Sequence, residues 1–135
     1  LNSEYPIKLN FIENKPIILY MRGDFKGINE ESVAIVGSRL CTEYGKRNAK
    51  FFSTELSKRN VNIVSGLANG IDSVAHSSCL DSYGKTIAVV GNGLDRVYPK
   101  ENLKLAERIL QNNRTNNIRI LNRNRAKKRA FSKKK

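Results

Sequence analysis

Three apolar, β-branched runs in this chain each close into a glycine-bearing turn. Val33-Ala34-Ile35-Val36 leads into Gly37-Ser38-Arg39, Asn62-Ile63-Val64 into Ser65-Gly66-Leu67-Ala68-Asn69-Gly70-Ile71-Asp72, and Thr86-Ile87-Ala88-Val89-Val90 into Gly91-Asn92-Gly93. Runs that stay apolar at successive positions, instead of alternating, are the mark of strands covered on both faces of a parallel sheet. Open parallel sheets bind their ligands at the carboxyl ends of the strands, which is where these three turns fall. The pattern therefore predicts an α/β fold with one rim, and on that rim a crevice suited to phosphate.

The segments between the runs have helical spacing. Thr42 is a candidate cap for a helix in which Tyr44, Ala49, Phe52 and Leu56 recur near the helical period, and Asn60 is placed to stop it. Asp72 is a candidate cap for a second helix, with Val74, Ala75, Cys79 and Leu80 as its apolar stripe and Tyr83-Gly84 as its end. Tyr98-Pro99 opens a third, carrying Leu103, Leu105, Ala106, Ile109 and Leu110. The order βαβαβα predicts an open parallel sheet with right-handed crossovers. Residues 15–23 read as a short strand and a turn that add an edge to it. The expected organisation is an extended segment with an edge strand over 1–32, an α/β core over 33–111, and a basic tail over 112–135 with no core-forming pattern.

At 135 residues the chain has room for one modest core. It lacks an apolar stretch of about eighteen residues, and Leu1-Asn2-Ser3-Glu4-Tyr5 has neither the basic region nor the apolar stretch of a signal peptide, so a cytoplasmic protein with no membrane role is expected. Leu1 is not a methionine, which suggests a missing beginning. Cys41 and Cys79 are isolated, with His76 the only histidine, so free thiols and no metal site are expected. The net charge of +13 is unevenly placed: residues 1–110 carry 15 Lys and Arg against 12 Asp and Glu, whereas 111–135 carry ten basic residues and no acid. An argument from overall charge to a polyanionic partner would rest on the tail.

Strand ends that feed helix starts present free backbone N–H groups and the positive end of a helix dipole to an anion. Gly37, Gly66, Gly70, Gly91 and Gly93 would let a phosphate approach the backbone, Ala68 adds an amide, Ser38 and Ser65 add hydroxyls, and Arg39 adds a permanent charge with a fork of donors. Familiar labels do not fit. Gly84-Lys85-Thr86 resembles the end of a P-loop but enters a strand, and Cys79 stands where that motif has glycine. Gly91-Asn92-Gly93 begins like a dinucleotide fingerprint but has Arg96 at the third glycine position. His76 falls inside a helix, Ser65-Gly66 lacks the nucleophile elbow, and Asp72 and Asp95 have no evident partner, so no catalytic residue and no cofactor is expected.

At these same residues the chain resembles the DprA/Smf family of bacterial DNA-processing proteins. The likeness covers about residues 5–110: Tyr5-Pro6, Leu19-Tyr20 with Gly23, Ala34-Ile35-Val36-Gly37-Ser38-Arg39, Tyr44-Gly45, Ser65 through Asp72, Ala75-His76, Gly84 through Val89, Gly93-Leu94-Asp95 and Tyr98-Pro99-Lys100-Glu101-Asn102. The resemblance implies an extended Rossmann-like fold and a non-enzymatic role: binding and protecting single-stranded DNA and loading RecA onto it in natural transformation. It implies a homodimer in intact members. By motif it carries the DNA pocket onto Gly37, Ser38 and Arg39, with Gly66, Gly70 and Gly93 as pocket backbone.

After Leu110 the family continues through a Ser-Glu strand and a Phe-Pro-x-Arg-Asn-Arg segment that contributes DNA contacts, then through the dimer surface; here the basic tail stands instead. Back-translated with AT-rich codons, Arg114 onward reads one base later as EQIISEFSIGTEPKKEHFP, which resembles that strand and the Phe-Pro approach. A frameshift near Asn112 to Arg114 is therefore expected, with impaired DNA binding and an unpaired sheet edge prone to aggregate. Two other functions remain open. One is an enzyme acting on nucleoside monophosphates, of the lysine-decarboxylase-like fold, although its Pro-Gly-Gly-x-Gly-Thr loop and catalytic Glu are absent. The other is a nucleic-acid binder acting through its basic tail.

Overall fold

In a computed structural model of the chain, which describes residues 5–23, 27–111 and 119–122, the apolar runs become neighbouring strands of one sheet. The strands are β1 (Leu19–Tyr20), β2 (Ser32–Ala34), β3 (Asn62–Ser65), β4 (Thr86–Val90) and β5 (Arg119–Asn122). Their spatial order is β1-β5-β4-β3-β2. From β2 to β5 every pairing is parallel, with Val33 opposite Ile63, Val64 opposite Ile87 and Val89 opposite Ile120. β1 runs antiparallel to β5 and forms one edge of the sheet; β2 forms the other.

Three helices link the parallel strands: α1 (Glu43–Lys58), α2 (Ile71–Asp81) and α3 (Leu103–Gln111). Successive parallel strands laid down in one direction place their crossovers on the same face, and the helices pack side by side there, α1 on α2 and α2 on α3. Thr42 caps α1, its side-chain oxygen accepting from Gly45 N–H at 3.1 Å. Asn60, in the left-handed region at φ 59°, turns the chain out of that helix towards β3. Small residues bring α1 and α2 together. Ala49, Ser53 and Ser57 are buried on α1, and Ser53 Oγ–H donates to the Ala75 carbonyl of α2 at 2.6 Å.

The core has two parts. Ile63, Ala75 and Cys79 meet Ile35 and Leu56 between β3, α1 and α2. Leu67, Leu80, Ala88, Val90, Leu105, Ala106 and Ile109 fill the space between β4, α2 and α3.

Three sequence expectations are adjusted. The cap of α2 is Gly70, not Asp72, whose side chain has a different task described below. Tyr98-Pro99 leads into a short 3-10 turn over Lys100–Asn102, and α3 begins only at Leu103. Residues 119–122, inside the range whose composition predicts an unstructured tail, form β5. The backbone of β4 needs a partner along its outer edge, and Ile120-Leu121 is apolar enough to read as strand once that edge is available. The edge that a shortened sheet would leave at β4 is thereby paired. The remainder of 112–135 lies outside the described residues.

Candidate functional site

The second rim turn is organised around an internal anion. Leaving β3, the chain takes Leu67 through φ 60° and Gly70 through φ 82° before α2 starts, and the loop folds back over the first turn of that helix. Asp72, 6 % exposed, turns its carboxylate into the loop. Gly66 N–H donates to Oδ2 at 3.1 Å, Ala68 N–H to the same oxygen at 3.4 Å, and Gly37 N–H, from the first rim turn, to Oδ1 at 3.4 Å. A carboxylate at the amino end of a helix is also favoured by the helix dipole. Amides that the sequence offers to a phosphate are thus already directed at a resident negative charge. Gly66 is required for this closeness, since a Cβ there would sit 2.6 Å from Asp72 Oδ2. Asn102 fastens the same loop from the other side, its Nδ2 donating to the Leu67 carbonyl at 2.9 Å.

Ser65 also turns inward. It is 2 % exposed, and its hydroxyl donates to the Ile35 carbonyl at 2.6 Å, tying β3 to the end of β2. As a phosphate donor it is unavailable in this arrangement.

The first rim turn is the outward-facing one. Gly37, Ser38, Arg39 and Leu40 are all exposed. Ser38 shapes the turn with its own side chain: Oγ accepts from Leu40 N–H at 3.2 Å and donates to the Leu40 carbonyl at 3.1 Å. Ile71 N–H donates to the Ser38 carbonyl at 3.3 Å, joining the turn to the start of α2. Gly70 lies directly beneath. A Cβ on it would run into the Ser38 carbonyl and come within 2.7 Å of the Arg39 carbonyl oxygen, at a φ that disfavours side chains in any case. Gly37 faces Ile71, whose Cγ1 would be 2.7 Å from an added Cβ. The backbone that carries Arg39 is therefore held from below by Gly70, Ile71 and Asp72. Among the described residues the Arg39 guanidinium has no ion-pair partner.

The third turn leaves β4, one strand over from β3. Gly91 is exposed, and Asn92 closes the turn by donating from Nδ2 to the carbonyls of Gly93 at 2.9 Å and Arg96 at 2.7 Å. At Gly93 a side chain would collide with the Asp95 carboxylate. Asp95 pairs with Arg96 at 3.4 Å on the surface.

His76 is fully buried on α2, beneath the rim and away from it. Thr86 Oγ1 donates to the Ile63 carbonyl at 2.8 Å, which leaves Nδ1 of His76 as the donor in their 2.6 Å contact. Nε2 is buried without a hydrogen-bond partner. Burial lowers the imidazole pKa to about 4, against a smaller opposing pull from the Ser65 carbonyl, so the ring is neutral near pH 7. Burial likewise pushes the Cys79 thiol up to about 11. Among the described residues no three His, Cys, Asp or Glu side chains gather into a metal site, and no helix is long and apolar enough to cross a membrane.

The three predicted turns lie at the carboxyl ends of β2, β3 and β4 with Arg39 exposed, and the sequence reading misses the role of Asp72. Of the residues singled out, Gly37, Gly66 and Ala68 meet at that carboxylate and Ser38 and Arg39 pack over Gly70, whereas Ser65 points away from solvent.

Comparison with known proteins gives a consistent result. The family described as DNA recombination-mediator protein A matches residues 1–134. DNA processing protein DprA of Streptococcus pneumoniae is 42% identical over 109 residues, covering 81% of this chain and 38% of that protein. The X-ray structure of the Streptococcus pneumoniae protein superposes with a TM-score of 0.79 at 37% identity, over 90% of this chain and 41% of the other. A structure of DNA processing protein A from Helicobacter pylori, described for its single-stranded DNA binding mode, gives a TM-score of 0.76 at 32% identity, over 87% of this chain and 52% of the other. The present chain thus spans well under two thirds of the length of these relatives.

Proposed function

Because the chain belongs to the DNA recombination-mediator protein A family, we propose that it binds single-stranded DNA on the rim above α2, as a binding protein and not as an enzyme. The observation that carries this reading is the exposed turn Gly37–Leu40, which presents Arg39 without an ion-pair partner among the described residues while Gly70 and Asp72 fix its backbone. A guanidinium on a rigid turn supplies a forked contact to a phosphate and no base-specific readout, which suits a single strand of any sequence. The single-stranded DNA binding mode described for the Helicobacter pylori relative supports the choice of ligand. The wider role we infer is protection of incoming single strands in the cytoplasm and loading of RecA onto them during transformation, by a homodimer.

An enzyme for nucleoside monophosphates would need free rim amides for the phosphate, and Asp72 occupies those of Gly66 and Ala68. Anisotropy of a labelled oligothymidylate, titrated at several salt concentrations, tests the proposal. Arg39→Ala should weaken binding and lower the salt slope by about 0.7, the contribution of one phosphate contact on a single strand. Removing residues 123–135 spares every described element and deletes eight basic residues. If that deletion abolishes binding while Arg39→Ala leaves it intact, the basic tail is the site and the rim assignment fails.

A further inference from the structure

The outer face of α1 does not look like the solvent side of an ordinary surface helix. The buried side of α1 is set by Ala49, Ser53 and Ser57, and the positions opposite them are Tyr44, Arg47 and Phe51 at helical spacings i, i+3 and i+7. Tyr44 is 71 % exposed and Phe51 60 %, so two aromatic rings stand in the middle of the solvent face instead of on its flank. Phe51 is braced there by Phe52, the rings meeting edge to face with centroids 5.4 Å apart.

The charge on this helix is sorted. Lys46 pairs with Glu43 at 2.7 Å and Lys58 with Glu55 at 2.8 Å, which removes both acids of α1 from play. Arg47 and Lys50 have no such partner among the described residues. Of these two, Arg47 shares the face of the exposed rings. The stripe is also continuous with the rim, because α1 starts at Glu43, directly after the turn that carries Arg39 and a Leu40 that is 95 % exposed.

We propose that the outer face of α1 extends the rim into a track for single-stranded DNA, with Tyr44 and Phe51 as stacking platforms for two bases and Arg47 as the phosphate contact between them. The two rings are separated by seven residues, about 10 Å along the helix axis, and the Glu55–Lys58 pair marks the far end of the track. Interleaved aromatic and basic side chains are what sequence-tolerant single-strand binding requires, since every base has a face to stack and every nucleotide a phosphate. The inference rests on the rim reading of the preceding subsection and adds to it a direction for the strand.

Oligothymidylate binding by the full chain separates the two. Tyr44→Ser and Phe51→Ser should each weaken binding at least about fivefold with the salt slope unchanged, as expected for loss of a stacked base. Arg47→Ala should instead lower the slope by about 0.7. Phe51→Trp should keep its affinity, and its new indole emission should be quenched on adding the oligonucleotide; the natural sequence has no tryptophan to interfere. If both serine variants bind like the natural chain while Arg39→Ala binds weakly, the track is wrong and the rim stands. If sedimentation shows a dimer that Phe51→Ser dissociates without changing DNA affinity, the face belongs to a second copy and the track is again wrong. Absence of any binding by the natural chain overturns the rim and the track together.

Discussion

His76 makes stability fall with acidity in a way that can be isolated, because the chain has no other histidine. The ring is fully buried, donates through Nδ1 to Thr86 and has an unpartnered Nε2, and its pKa in the fold is about 4 against 6.5 for a free imidazole. A depressed pKa means that the unfolded chain binds the proton first. The stability tied to the neutral ring is therefore intact above pH 6.5 and is lost as the pH falls from there towards 4. A separation of about 2.5 units is worth about 3.4 kcal/mol in full, of which roughly 2 kcal/mol is already lost at pH 5. For a small domain whose total stability is about 5–15 kcal/mol, this is a large share. Urea unfolding followed by far-ultraviolet circular dichroism between pH 7.5 and 5 would measure it, in the natural chain and in His76→Asn, whose amide N–H can replace the Nδ1 donor to Thr86. The carboxylates contribute equally to both, so the natural chain should lose roughly 2 kcal/mol more than the variant over that range. Parallel stability profiles, or an NMR titration of the one imidazole with a midpoint near 6.5 in the folded state, would refute the reasoning.

The remaining expectations concern the rim and the thiols. Asp72→Ala removes the acceptor of three N–H groups from two loops and should cost about 2–4 kcal/mol in urea unfolding, since hydrogen bonds to a charged group are each worth about 1.5–3 kcal/mol at best and long ones less. Gly70→Ala places a methyl group against the Ser38 and Arg39 carbonyls at a positive φ, and should cost more than about 1 kcal/mol while displacing the Arg39 turn enough to weaken oligothymidylate binding. Of the two free cysteines, partly exposed Cys41 should react with a thiol reagent at neutral pH, whereas Cys79, buried and with its pKa near 11, should react only on unfolding; two fast thiols would contradict the packing of α2 against β3.

Legibility in the sequence follows how local each cause is. The strands and α1 are set by residues close in the chain: the apolar runs, the Thr42 hydroxyl at its own helix start, and Asn60 in the left-handed turn at its end. Asp72 has the composition of a cap because an acid at a helix start is usually one, but its partners include Gly37, which lies 35 residues away. No periodicity reports that distance. Ser65 looks like a rim hydroxyl until the Ile35 carbonyl, just past the end of the neighbouring β2, is brought to it. The four residues of β5 read as part of a basic tail because their order depends on the open edge of β4, which exists only once the sheet has formed. What the sequence could have signalled is the short spacing from Gly66 to Asp72, which allows the carboxylate to fold back onto its own loop.

That carboxylate decides what kind of rim this is. In a nucleotide-binding α/β domain the glycine turn keeps its amides free, and the ligand's phosphate completes them. Here Asp72 takes up three of them, those of Gly37, Gly66 and Ala68, and in doing so it joins the turn after β3 to the turn after β2. On the rim reading proposed above, the phosphate contact then falls to the Arg39 side chain on the exposed turn after β2. The consequences differ in kind: an amide nest selects a compact phosphate at one fixed point, whereas an exposed guanidinium on a rigid turn can take any phosphate of a passing strand. A fold that stabilises its rim with its own acid keeps the architecture of a nucleotide site, and on the proposed reading its exposed turn serves a polymer instead.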